Sequence, residues 1–600
     1  MMKIYLYMCQ FVLVASLALF ATCNPSTSKS PSALIGILAV FGSNSLSNDT
    51  NLPSNPTDPP IPPLDSTPTP PAPSSDACVL GTDAFYVNGD SGNDSNSGTK
   101  VSPLQTIQKA MELASAGNAI CVTYRSGGNS YNEENVTLLG KSGVSILGGY
   151  SNSWVRDEIQ NPTKWKMNRI GIMFSNLNGD VEISGFDMRS KNPTSPNESS
   201  YGIFVTSGTA KLTIKNVILV AGSVPQLKDT NPGSSIGILI TGLSKLTIAN
   251  SEVRAGNAAS GADGTNGANG VAGGNGGNGL NGSNDSASVN ALGGAGGLHP
   301  SISALNGYSG GRGGKGAENG ISGLGPCGGL GGPINNTVNY VLNPGLAPSC
   351  EVENGNSGNS GLVQSNPIGT FSPYYNALNG YDGEDGTNGT PGSGGGGGGG
   401  QACTFCANGT GNGGGGGGAA GSKGTKGTGS QGGASSFAVV LRSINEVTLI
   451  SSRFVAGNAG NGGIAGNGGE GGAGGLKGTG ASTGIGEVGK GGDGAPGGKG
   501  GDGGDGSAGA GGSSVALVLQ SVTSFSANQN AFQTGNAGNG GSARNSFSGN
   551  GGHSIGVYSL NGNSYTFSNS EYNLGNEGYS GAVTGTGSAG SIGRKANISW

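Results

Sequence analysis

A unit of roughly thirty residues recurs along this chain, and each copy runs out into glycine. Residues 435–463 read SSFAVVLRSINEVTLISSRFVAGNAGNGG, residues 513–541 read SSVALVLQSVTSFSANQNAFQTGNAGNGG, and residues 234–264 read SSIGILITGLSKLTIANSEVRAGNAASGADG. Weaker copies start at Ser200 and His553. In the first copy Phe437, Val439 and Leu441 alternate, followed by Val447, Leu449 and, after a break, Phe454. A period of two predicts strands with one buried face. Short strands of this kind do not bury that face alone, so the copies should stack. Because the copies share direction and order, like strands should run parallel. The expectation is an all-β parallel solenoid. An antiparallel sandwich fits less well, because its strands would vary rather than repeat.

Glycine follows its own period. Gly457, Gly460, Gly463, Gly466, Gly469, Gly472, Gly475 and Gly478 are spaced by three, and so are the glycines from 261 to 282, 380 to 398 and 491 to 512. A collagen helix would place proline between them, but only Pro391 and Pro496 fall inside these tracts. Glycine at every third position gives a helix face without Cβ, along which backbones approach and pair. The period therefore predicts polyglycine-II-like helices packed side by side, leaving one rung and returning to the next. The competing expectation is a disordered glycine-rich insertion. The runs GNAGNGG and GGNGGNGG also resemble mycobacterial PGRS-type glycine-rich domains in style.

Of 600 residues, 126 are glycine and only 33% are hydrophobic, which suits a narrow solenoid core better than a globule. A net charge of −5 with only 29 Lys and Arg argues against nucleic acid as a partner and against simple electrostatic binding to an acidic membrane.

Residues 1–22 hold one lysine, Lys3, ahead of an apolar stretch, the pattern of a secretory signal. The sequence Phe20-Ala21-Thr22-Cys23 resembles a bacterial lipobox, which implies a lipid on Cys23 and a cell-surface or outer-membrane location. Thr22 and the displaced Leu19 depart from the strict motif; ordinary cleavage would leave Cys23 free. Residues 23–77 read as a tether and a Pro/Ser-rich linker of polyproline II character. The apolar run 33–42 is too short for a membrane-spanning helix. Residues 78–255 should form an N-terminal cap and first rungs. Residues 256–434 should form a glycine-rich insertion, and 435–600 rungs alternating with glycine tracts.

The clearest likeness lies in residues 85–157. Tyr86, Asn93, Asp94, Gly98, Pro103, Thr106, Ile107, Gln108, Ala110, Gly148, Gly149, Tyr150, Trp154, Arg156 and Asp157 match the pattern YV-x-G, NDSNxGT, P-xx-TIQ-x-A and GGY-xxx-W-x-RD. This segment resembles the DUF1565-type, pectin-lyase-like right-handed parallel β-helix. The residues agree independently: Leu104, Ile107, Met111 and Ala114 are spaced as one amphipathic helix. Such a helix would cap the open end of the core. Strands are expected at 119–124, 136–139 and 144–147.

Eight cysteines are present. Apart from Cys9 and Cys23, the even remainder in an exported chain reads as disulfides. Cys78 with Cys121 would staple the cap, and Cys327 with Cys350 and Cys403 with Cys406 the insertion, although other connectivities are open. Zinc at Cys403-x-x-Cys406 would need two further ligands, with only His299 and His553 on offer. A redox CxxC lacks a thioredoxin-like setting. Asp90, Asn93, Asp94 and Asn96 crowd one loop with oxygen ligands suited to Ca2+, or equally with turn chemistry. No other cofactor is implied. The fold family carries polysaccharide-cleaving enzymes, but no Asn-Thr-Asp, Asp-Asp, Gly-His-Gly or Arg-Ile-Lys run is present. The irregular part of the insertion, 333–375, with Tyr340, Tyr374 and Tyr375, is the first place to expect a binding surface. The expectation is a surface-anchored scaffold or adhesin for carbohydrate or extracellular matrix protein. A polysaccharide lyase or hydrolase is the alternative.

Overall fold

The structure is a computed structural model and describes residue 78 and residues 84–336, 343–362, 370–371, 375–376, 378–483 and 487–599. Twenty strands join into one sheet system, and every recorded pairing within it is parallel. This is consistent with a β-solenoid. The repeated unit stacks in strict register. Ser235 pairs with Ser436, Ser436 with Ser514 and Ser514 with Ser554; Ile236, Phe437, Val515 and Ile555 form the next column, and Ile238, Val439, Leu517 and Val557 another two residues on.

Each unit bends at fixed points. Gly242, Ser443 and Ser521 have φ of 76°, 54° and 55°, and Asn250, Ser451, Gln529 and Asn569 have φ of 47°, 46°, 54° and 47°. These left-handed residues turn the long strands Ser235–Ala249, Ser436–Ile450 and Ser514–Asn528 partway along. They then turn the chain again into Glu252–Arg254, Arg453–Val455 and Ala531–Gln533. Asn and Ser tolerate that conformation better than the β-branched residues around them.

The main core runs through the stack as columns of Val, Leu, Ile and Phe, with Phe454 and Phe532 stacked at 5.4 Å. One expectation is corrected here. Phe437, Val439 and Leu441 do not share a face. Val439 and Leu441 lie in the main core, while Phe437 joins Val440, Ile236, Leu239, Val515 and Val518 in a second buried cluster. The six residues 436–441 are all buried, so both faces of this strand segment are covered. The small-residue column Gly237, Ala438, Ala516 and Gly556 interrupts the two-residue alternation.

The helix Ile107–Leu113 lies at the start of the solenoid and buries Ile107, Ala110 and Met111. Thr106 caps it, its Oγ1 accepting the N–H of Lys109 at 3.1 Å. Strands form at Ala119–Thr123, Leu138–Leu139 and Ser145–Tyr150, near the expected positions. The Cys78–Cys121 disulfide packs with Ala119, Leu147 and Tyr150 beside this end.

The glycine tracts are ordered and hydrogen-bonded to one another. Gly264, Gly267, Gly270, Gly273, Gly276 and Gly279 donate in turn to Ile464, Asn467, Glu470, Ala473, Leu476 and Thr479. A given neighbour is met every third residue, the pattern expected of polyglycine II. Parallel and antiparallel neighbours both occur: Gly466, Gly469 and Gly472 donate to Thr428, Thr425 and Ser422.

Residues 411–418 run through the middle of the bundle. Asn412, Gly413 and Gly414 donate to Gly489, Leu280 and Gly311; Gly415, Gly416 and Gly417 then donate to Gly492, Gly277 and Tyr308 in the same three tracts. The carbonyls of Gly414, Gly415 and Gly416 accept from Gly294, Gly395 and Gly478 in three others. The six neighbours also close a ring among themselves. Its bonds run Gly277 to Ala295, Gly310 to Gly294, Gly311 to Gly395, Gly492 to Gly396, Gly494 to Gly478 and Gly276 to Leu476. Residues 392–400 are enclosed in the same way, by tracts 305–314, 319–324, 328–335, 343–346, 411–418 and 489–495.

This enclosure accounts for the runs of consecutive glycine. A tract with one packed face needs glycine only every third residue. Residues 394–399 and 413–418 face neighbours on all sides, and a Cβ at any of them would strike a neighbouring carbonyl.

Candidate binding surface

The oxygen-rich loop after the first strand directs its side chains at separate partners. Asp90 accepts from Arg125 Nε at 3.0 Å and from the Ser126 N–H at 2.7 Å. Asn93 Oδ1 accepts from Ser95, and Asn96 Nδ2 donates to the Pro103 carbonyl. Asp94 Oδ1 accepts the N–H groups of Gln105 and Thr106 at 2.9 Å, and its Oδ2 takes the Thr106 hydroxyl. The loop thus presents the start of the helix to the core. Among the described residues, no group of three or more His, Cys, Asp or Glu is placed to hold a metal ion.

The cysteines pair Cys78–Cys121, Cys327–Cys350 and Cys403–Cys406. Both histidines are engaged. His299 is buried and its Nδ1 accepts from the Ile302 N–H at 3.1 Å, while His553 Nδ1 accepts the Arg594 N–H at 2.8 Å. Residues 1–77, with the expected signal, Cys23 and the linker, lie outside the described residues, and so do Tyr340 and Tyr374. Tyr375 opens the short strand Tyr375–Asn376, which pairs antiparallel with Thr370–Phe371.

A further residue that fixes the start of the helix is Glu133. Its Oε1 accepts the N–H groups of Ile107 at 2.8 Å and Gln108 at 3.1 Å, and its Oε2 accepts Trp165 Nε1 at 3.1 Å. Burial pushes this carboxyl above the usual glutamate range against the pull of those three donors. Burial likewise pushes the Tyr131 hydroxyl up to about 12. These groups belong to the packing of the solenoid end. No helix among the described residues is long and apolar enough to cross a membrane.

The exposed chemistry sits on the bundle. Ile321, Leu324, Leu330 and Leu346 are 49%, 61%, 64% and 53% exposed. They come from three adjacent tracts: Leu346 donates its N–H to Leu330, and Gly323, beside Leu324, donates to Gly329. Contiguous exposed apolar residues on a water-facing surface mark a contact site more often than isolated ones do. One of its members, Leu346, falls within the 333–375 segment where the sequence suggested binding. Its members fall between the glycines of their tracts, where any side chain facing outward is tolerated. Elsewhere the tract surfaces carry Asn, Ser and ion pairs such as Lys423–Asp385 and Lys426–Asp382.

No family model matches this chain, and neither a curated protein nor a solved structure matches it.

Proposed function

We propose that this chain is an exported, surface-anchored scaffold of adhesin-like type, in which a right-handed parallel β-helix of the pectin-lyase-like kind holds a polyglycine II bundle out for contact. The observation that carries this reading is the double enclosure of residues 392–400 and 411–418. Two tracts ringed by hydrogen-bonded neighbours make a stiff body that carries aliphatic side chains such as Leu330 and Leu346 on its outside, which supports a display surface. The aliphatic patch Ile321, Leu324, Leu330 and Leu346 is the contact region, and the partner is a carbohydrate or an extracellular matrix protein. The disulfides are compatible with an oxidising, extracellular setting. The membrane is reached through a lipid on Cys23.

The test is to pass the purified protein over immobilised polysaccharides and matrix proteins, reading retention and released fragments together. Retention without fragments, lost in Leu330→Asp/Leu346→Asp, supports the scaffold reading. Soluble sugar fragments would replace it with a lyase or hydrolase. Palmitate labelling that vanishes in Cys23→Ala supports the anchor, and labelling that persists removes it.

A further inference from the structure

The Cys78–Cys121 disulfide is buried, whereas Cys327–Cys350 and Cys403–Cys406 each pair a half-buried cysteine with an exposed one, the former across a sequence separation of 23. Cys78 and Cys121 are 5% and 0% exposed inside an apolar cluster. Cys403 and Cys406 close a loop of sequence separation 3 where the chain turns between the two enclosed tracts, with Cys403 half-buried and Cys406 exposed. The loop does not depend on the disulfide for closure. Gln401 and Gly409 exchange two backbone hydrogen bonds of 3.1 Å, and the Cys403 N–H donates to Asn408 Oδ1 at 2.9 Å. A bridge this short restricts the unfolded chain least of the three. Phe405, between the two cysteines, is 100% exposed, so its ring does not shield the sulfurs. Residues 401–411 carry no charge, so neither an anionic nor a cationic thiol is repelled.

We infer that Cys403–Cys406 is a thiol-exchange site, at which an external thiol attacks the exposed sulfur of Cys406. The thiolate RS− bonds to Cys406 Sγ, the S–S bond breaks, and its electron pair leaves on Cys403 Sγ. Cys406 then carries a mixed disulfide with the incoming thiol. Cys403 can reverse the step by attacking Cys406 Sγ and expelling RS−. Alternatively, a second thiol attacks the outer sulfur, giving RSSR and two cysteine thiolates that take protons from water. Access favours this pair over the buried one, and the Gln401–Gly409 bonds hold the turn closed when the short bridge opens. The product is a covalent attachment point on the turn between the two enclosed tracts for any partner that brings a thiol.

The experiment treats the purified full chain with stepped glutathione, quenches with N-ethylmaleimide and maps peptides by mass spectrometry. The expected result is glutathione on Cys406 and maleimide on Cys403, at a glutathione concentration at least tenfold below the one that opens Cys78–Cys121. Amide protection at Gly413–Gly418 should be unchanged when the pair is open. Opening of Cys78–Cys121 at the same concentration would overturn the inference, as would the adduct on Cys403. Loss of amide protection would make the bridge a structural staple and overturn it as well.

Discussion

Asn257 Oδ1 accepts the backbone N–H of Asn458 at 2.9 Å across a sequence separation of 201 residues. Asn458 Oδ1 does the same for Asn536 at 2.8 Å, and Asn536 for Asn576 at 2.9 Å. Gly460 and Gly538 nearby donate to the carbonyls of Ala434 and Gly512, whereas the N–H groups of Asn458 and Asn536 meet an asparagine side chain instead. The asparagine side chain of the preceding layer supplies the missing acceptor. Asn266, Asn269, Asn275 and Asn278 serve Asn467, Glu470, Leu476 and Thr479 in the same way. Asn458→Ala should therefore cost about 1 kcal/mol and speed exchange of the Asn536 amide, whereas Asn458→Asp keeps the acceptor. Hydrogen exchange on the two variants checks this.

A methyl group inside the enclosed tracts has no room. In Gly415→Ala the new Cβ would meet the Gly478 carbonyl, which is backbone and held by its own hydrogen bonds. The expected cost is about 3 kcal/mol or more, because no flexible side chain gives way. Ser357→Ala, on an exposed outer position, should be neutral within about 0.5 kcal/mol. Denaturant unfolding of both variants measures the contrast; equal stabilities would mean the bundle is not packed as described.

Glu133→Gln keeps the Oε1 acceptor for Ile107 and Gln108 and turns an NH2 donor toward Trp165 Nε1, donor against donor. A loss of about 2 kcal/mol is expected, from a buried N–H left without an acceptor. A blue-shifted or quenched Trp165 emission at unchanged stability would argue for repacking instead.

His553 gives a pH signature. Burial, with a smaller push from Arg594, holds it down to about 4, against 6.5 for a free histidine, and the Arg594 N–H bond to Nδ1 requires that nitrogen unprotonated. The unfolded chain therefore binds more protons than the folded one between those values. The stability from neutral His553, at most ~3 kcal/mol, is full above about pH 6.5 and is lost as pH falls toward 4. His553→Asn should flatten the change in unfolding midpoint between pH 7 and pH 4.5. An unaltered slope would locate the effect in other groups.

The period-two and period-three patterns were legible because each is a local property: strands and glycine helices declare themselves residue by residue. The partnering of tracts was not. Nothing in residues 411–418 names 277 or 492 as neighbours, since glycine carries no side chain to encode a partner. Yet the unbroken runs at 394–400 and 413–418 do encode enclosure on every side. Glu133 was silent for the opposite reason, because its task is set by a helix start 25 residues earlier in the chain. The split of Phe437 from Val439 escaped the alternation because Ala438 interrupts it. Asp90, Asn93, Asp94 and Asn96 had the composition of a cation loop and the geometry of a turn, and composition alone does not separate the two.

The hydrogen-bonding of the tracts also bears on chemical ageing. Asparagine followed by glycine is the step most open to cyclisation, in which the glycine nitrogen attacks the asparagine side-chain carbon and releases ammonia. This chain holds many such steps, among them Asn266-Gly267, Asn269-Gly270, Asn461-Gly462 and Asn539-Gly540. In each the glycine N–H is tied to a carbonyl, of Asn467, Glu470, Asn539 and Tyr579 respectively. In each, too, the asparagine side chain is fixed by the layer that follows it. The attacking nitrogen and its target are held apart, so the folded bundle should age far more slowly than its sequence would in solution.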